Sequence, residues 1–153
     1  LRLLLDTTYL LAAVGISVKG LPRDAVIQLS RRGHGISISE VTLFELCANG
    51  AKRVAGGGLT GERVSRGIRA VVYDDRIARI PMHDTSVLLT AFRLRRRLSD
   101  IIDCLILSSA VNRCDVLVTE DEDILDLSRK DEFQGLLRAV NPEFRVQRLA
   151  EIL

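Results

Sequence analysis

The segment "SDIIDCLILSSAVNRCDVLVTEDED", residues 99–123, carries the reading on which the fold turns. Its first sixteen residues space apolar side chains three and four apart, the period of a helix with a buried face. "DVLVT" (115–119) is then a nearly unbroken apolar run of strand length. The acids that follow suit the first turn of another helix, where negative charge meets the positive end of the macrodipole. Helix, fully buried strand and helix in succession predict a parallel sheet covered on both faces.

Outward from this segment the alternation repeats. Strand-like runs occur at "RLLLD" (2–6), "GISIS" (35–39), "ARIP" (78–81) and "LLRAV" (136–140). Between them, "PRDAVIQLSRRG" has Pro22 as a first helical residue and Gly33 as a stop. "SEVTLFELCANGAK" has Ser39 as its N-cap, and "TGERVSRGIRAVVYDD" and "DTSVLLTAFRLRRRL" repeat the helical period. The expectation is an α/β fold, a three-layer α/β/α domain over residues 1–153 with a central parallel sheet of about five strands. "GGGLTG" (56–61) is no phosphate-binding loop, because Glu62 stands where that motif needs Lys. It reads as a mobile linker between helices, near a substrate entrance.

Composition narrows the function. With 47% hydrophobic and 27% charged residues, 153 residues suffice to bury about two thirds of the unfolded surface. Aromatics make up 4% and Trp is absent, which argues against a base-stacking platform of several rings. Cys47, Cys104 and Cys114 lack C-x-x-C spacing and read as buried thiols of a reducing compartment. His34 and His83 stand alone as surface or loop residues. Asp6 interrupts the N-terminal apolar run, and no stretch is long enough to span a bilayer, so a cytoplasmic location without membrane contact is expected.

Four carboxylates then stand out. Ligands of open parallel sheets bind outside the carboxyl ends of the strands. Asp6 ends the first strand and Asp121 follows the fourth, so the two converge if those strands are neighbours. Asp103 shares a helix face with Ile106 and Ala110, and Glu45 with Val41, Phe44 and Ala48. Simpler roles exist for each: Asp6 suits an N-cap, Glu45 an Arg partner, and Asp103, Asp121 and Asp123 helix starts, while Asp100 and Asp123 suit solvent or a place just outside the site. As a set they conflict. Two such charges about 4 Å apart repel by roughly 4 kcal/mol at an effective dielectric near 20. Divalent cations relieve that conflict, and all-oxygen ligands suit Mg²⁺ or Mn²⁺ better than zinc.

In their order and separation, "LLLDTTYLLA", "SISEVTLFEL", "LSDIIDCLILSSAV" and "DVLVTEDEDI" resemble the PIN domain, and within it the small VapC-type toxins. The resemblance spans nearly the whole chain, with "VNPEF" (140–144) similar to the last strand and its exit. It implies Mg²⁺- or Mn²⁺-dependent endoribonuclease activity with Asp6, Glu45, Asp103 and Asp121 as the catalytic acids. Asp6, Asp103 and Asp121 would ligate metal, and Glu45 would bind it through water or orient the nucleophile. Thr7, Thr119 and Asp123 would support them. A homodimer and a small antitoxin protein are implied as well. Glu120 departs from the pattern, which often has Asn or Arg there, and adds negative charge beside the site.

With the four acids set aside, 22 basic residues outnumber the other 16 acids, a balance suited to an RNA backbone. "FRLRRRL" (92–98) offers Arg93, Arg95, Arg96 and Arg97 for that role, or equally a solvated helix end. Four rivals bear on the reading. A haloacid-dehalogenase phosphatase needs a second Asp at position 8, where Thr8 stands, and a receiver domain needs a late Lys after a strand. A housekeeping RNA-processing PIN nuclease or a degenerate PIN interaction module are the nearer alternatives.

Overall fold

The computed structural model describes residues 1–153. The chain runs β1 (Arg2–Leu5), a 3₁₀ helix (Thr7–Val14), α1 (Ala25–Arg31), β2 (Gly35–Ser39), α2 (Glu40–Ala55) and α3 (Gly61–Val72). It continues through β3 (Ile77–Ile80), α4 (Thr85–Leu94), α5 (Ile101–Arg113), β4 (Val116–Val118), α6 (Glu122–Ser128), α7 (Asp131–Val140), β5 (Arg145–Gln147) and a closing 3₁₀ turn (Leu149–Glu151). The five strands form one sheet in the order β3-β2-β1-β4-β5, every pair parallel. Successive crossovers move outward from β1 in one direction up to β3, and then in the other from β4. The order therefore reverses between β1 and β4, the place where open parallel sheets leave a crevice at the strand ends.

Alternation along the strands divides the core. Leu4 and Leu117 face one side, where Ala91, Ile106, Ala110 and Leu137 join them. Leu3, Leu5, Val116 and Val118 face the other, against Tyr9, Ala25 and Leu29. Leu10, Val14, Leu46 and Val64 close a third cluster under α2 and α3. Residues 104–111 of α5 are buried on every side, so this helix is internal and its polar residues bond within the protein. Ser109 donates to the Leu105 carbonyl at 2.8 Å, and Asn112 reaches Thr90 Oγ1 at 3.2 Å. The predicted Ser39 cap is in place, accepting from the Val41 N–H, and two caps not anticipated join it: Thr60 accepts from the Arg63 N–H and Asp100 from that of Ile102.

Several expectations fail for identifiable reasons. "LLRAV" (136–140) is not a strand but the second half of α7. Phe133, Leu136 and Leu137 are buried at i, i+3 and i+4, a period visible only when the window opens at residue 131. "VNPEF" is the end of α7 and a turn, and the last strand is the short, polar edge segment Arg145–Gln147. The helix expected from Pro22 begins at Ala25, because Asp24 (φ −108°, ψ 26°) is outside helical geometry. Cys47 is exposed, and only Cys104 and Cys114 are buried. Phe44 and Ala48 are exposed too, so Glu45 sits at the border of the buried face of α2 and not within it.

Candidate active site at the carboxyl edge of the sheet

Asp6 extends β1 by one residue, its N–H bonded to the Val118 carbonyl of β4 at 3.0 Å. That pairing delivers the carboxylate to the switch point at 8% exposure. Both oxygens are held: Oδ1 accepts the Thr7 N–H at 2.8 Å, and Oδ2 accepts the Thr119 hydroxyl at 2.6 Å. Thr119, fully buried just after β4, accepts in turn from the Asp121 N–H at 3.0 Å. Asp121 caps α6 through the Ile124 N–H at 3.1 Å. Asp6, Thr119 and Asp121 thus form one hydrogen-bonded relay across the crevice. Thr7 joins a fourth element to it, since its hydroxyl donates to Glu45 Oε1 of α2. Capping by Asp6 and Asp121 is real here, but it accounts for one oxygen of each.

Asp103 enters from the first turn of α5, and electrostatics shows the company it keeps. Burial is the main force raising its carboxyl to about 7, reinforced by the charges of Asp100, Asp121, Asp6 and Glu45. Burial also raises Asp6, against the opposing bonds from Thr119 and Thr7, with Asp121 adding repulsion. Glu45 is raised by burial and by the charges of Asp6 and Asp100, with Thr7 opposing. Asp103 therefore lies within reach of the charges of the other three predicted acids. As the side chains stand, no three of them enclose a single point at ligating distance. Oxygens of Asp6, Glu45 and Asp121 instead accept from hydroxyl and amide donors, and each carboxylate oxygen keeps further lone pairs for a cation.

Asp123 is exposed in the first turn of α6, outside the relay. The arginine run divides: Arg97 pairs with Glu132 of α7 and Arg95 donates to the Leu98 carbonyl at 3.3 Å, whereas Arg93 and Arg96 stay exposed. Glu120 does not add its charge to the site as expected. It accepts from the Tyr9 hydroxyl at 2.8 Å, from Arg148 at 3.0 Å and from the Leu149 N–H at 3.3 Å, so it clamps the β4–α6 turn to the chain's end. Tyr9 and Arg148 were missed in the sequence because partners 111 and 28 residues away leave no periodic signal. Asp100, read from the sequence as solvent-facing or as lying just outside the site, is exposed, caps α5 through the Ile102 N–H and adds its charge to that felt by Asp103.

The family model of the PIN domain matches residues 3–130. This chain belongs to the PIN domain family. Its match spans β1 to the end of α6, and so contains every acid of the site. A comparison with curated protein sequences gave no match. Among solved structures, this PIN domain is similar in fold to a chain of VapBC2 from Rickettsia felis bound to a DNA fragment from its promoter. The identity is 16%, 97% of this chain and 98% of that chain are covered, and the TM-score is 0.58. A chain of DNA-bound VapBC from Salmonella typhimurium is similar at 20% identity, with coverage of 97% and 98% and a TM-score of 0.55.

Proposed function

We propose that this PIN domain is a divalent-metal-dependent endoribonuclease that hydrolyses RNA phosphodiester bonds, and that it is the toxin of a VapBC-type toxin–antitoxin pair acting in the cytoplasm. The observation that carries the nuclease reading is the Asp6–Thr119–Asp121 relay at the switch point, with Glu45 bonded to it through Thr7 and Asp103 close enough to feel the charges of Asp6, Asp121 and Glu45. An uncompensated cluster of this kind is a cost to the fold, and a hard cation relieves it.

The donor set fits Mg²⁺ or Mn²⁺, being oxygen only, with no His or Cys among the bonded groups to favour zinc. Asp6, Asp103 and Asp121 are the residues that would hold it. When bound, such a cation activates water at neutral pH and offsets charge on a phosphoryl oxygen. The protein's own share is orientation. Thr119 and the Thr7 N–H fix the plane of the Asp6 carboxylate, and outer partners of this sort tune both ligand geometry and basicity. Glu45, held by the Thr7 hydroxyl, would orient a water attacking phosphorus. Asp123 supports α6 through its first-turn charge.

Cleavage of single-stranded or looped RNA tests the reading. Activity should require Mg²⁺ or Mn²⁺ and be lost in chelator and in folded Asp103→Asn; cleavage that persists in chelator would overturn it. The toxin assignment is supported by the fold shared with chains of the two VapBC structures. An antitoxin placing an Arg or Lys among the acids would compete with the cation. Inhibition by the neighbouring-gene protein should then weaken as Mg²⁺ rises and on Asp6→Asn or Asp121→Asn; equal affinity throughout would place the partner elsewhere. Self-association into a homodimer is supported by Leu89 and Phe92, exposed by 59% and 56% one turn apart on α4.

A further inference from the structure

Apart from the arginine run at 93–97, the positive charge of this molecule is gathered in one hairpin. Residues 49–72, the second half of α2 with α3, carry Lys52, Arg53, Arg63, Arg66 and Arg69 against Glu62 alone. That is +4, whereas the whole chain is +2, so the remainder is net negative. None of the five cations is in a salt bridge. Across the site the balance is reversed: residues 120–132 hold seven acids against Arg129 and Lys130. Arg97 is already neutralised there by Glu132. A polyanion reaching the crevice is repelled from the α6–α7 side and attracted from the α2–α3 side.

The macrodipole explains only part of this. Lys52 and Arg53 lie in the last turn of α2, where cations are favoured. Arg63 and Arg66 lie in the first half of α3, where they are not. Arg63 has a local reason, donating to the Ala13 carbonyl at 2.7 Å, and Arg69 lies over the Tyr73 ring at 5.6 Å. Lys52, Arg53 and Arg66 have no partner of this kind.

Helix geometry connects the patch to the site. Glu45, Asn49 and Lys52 lie at i, i+4 and i+7 of α2, on one stripe, and Asn49 bonds back to the Glu45 carbonyl at 2.9 Å. At 1.5 Å per residue the stripe rises roughly 10 Å from the acidic crevice to Lys52. Beside its start stands Phe44, a ring 63% exposed with no packing role. An apolar ring in water next to a nuclease crevice offers a face on which a base can stack.

We propose that single-stranded RNA is laid along α2, its backbone phosphates on Lys52 and Arg53 and one base on Phe44, so that the scissile bond is fed past Glu45 into the crevice. This rests on the nuclease reading and deepens it by naming the substrate path. A nuclease without a base-reading groove needs such a guide, because bonds to phosphate position the strand.

The test is fluorescence anisotropy of a labelled short single-stranded RNA of mixed sequence, titrated with full-length Asp103→Asn in chelator over a range of salt. Every further variant is made in that background. Lys52→Gln with Arg53→Gln should weaken binding and flatten the log–log salt slope by about 1.4, at about 0.7 for each phosphate of a single strand that is no longer neutralised. Phe44→Ala should weaken binding by about tenfold and leave the slope unchanged, since stacking releases no counterions. Arg93→Gln with Arg96→Gln should alter neither quantity. All these side chains are exposed, and a thermal melt of each variant verifies the fold. An unchanged slope in the Lys52/Arg53 variant, or full affinity in Phe44→Ala, overturns this path. If the wild type still cleaves RNA in a metal-dependent way, the nuclease reading survives that result. If RNA neither binds nor is cleaved, both readings fall.

Discussion

Asp103→Asn should make the metal-free protein more stable while removing its catalytic use of metal. Burial and the neighbouring carboxylates raise this carboxyl from 3.8 to about 7. At 1.36 kcal/mol per pH unit, the ionised form is disfavoured in the fold by at most about 4 kcal/mol. Water reaching the partly exposed side chain screens that to about 1–2 kcal/mol. The sign follows from linkage. A folded pKa above the unfolded value means that the native state holds the proton more tightly, so the stabilisation present below pH 4 is lost as pH rises through 7. Asn carries no charge and escapes that loss. In chelator at pH 8, Asp103→Asn should melt roughly 3–6 °C above the wild type, given about 2–4 °C per kcal/mol for a chain of this size. At pH 4 the two curves should nearly coincide. Adding Mn²⁺ at pH 8 should raise the wild type selectively and so narrow or reverse the gap. Differential scanning fluorimetry across pH with chelator and with Mn²⁺ reads all three arms. A variant less stable than the wild type at pH 8 in chelator, or an advantage that ignores pH, would refute the reasoning, because Asp103 would then be a stabilising group and not a strained one.

Three further outcomes are expected. Millimolar Mg²⁺ or Mn²⁺ should raise the wild-type melting temperature by mass action, and Asp6→Asn should largely abolish the gain; indifference to metal and chelator alike would count against the site. Thr119→Val removes the hydroxyl that donates to Asp6 and accepts from the Asp121 N–H, and should cost about 1–3 kcal/mol in urea unfolding at pH 7, with no loss if the relay is incidental. Gly67→Ala should cost at least about 3 kcal/mol, since a Cβ there would overlap the Ala13 carbonyl, which is backbone and cannot turn aside. Gly50→Ala should cost less, because it meets only the Val64 side chain; equal costs in urea unfolding would remove that distinction.

The sequence by itself determined the layer architecture, the places of four strands and the four acids. Those features are local: apolar period and strand-length runs report which faces are buried, whatever covers them. "DVLVT" and "GISIS" are strands because β-branched and apolar residues fill short runs between helix caps. The same local rule misplaced the fifth strand, since Leu136, Leu137 and Val140 fit both periods and the real strand, Arg145–Gln147, has only one apolar residue. Only the tertiary structure decided that β1 lies beside β4, which brings Asp6 to Thr119 and Asp121 across more than a hundred residues. It alone turned Glu120 away toward Tyr9 and Arg148, paired Arg97 with Glu132, and left the cations of the α2–α3 hairpin without an acidic partner. Charge and hydrogen bonding act through space at a few ångströms, and sequence separation carries no record of those distances.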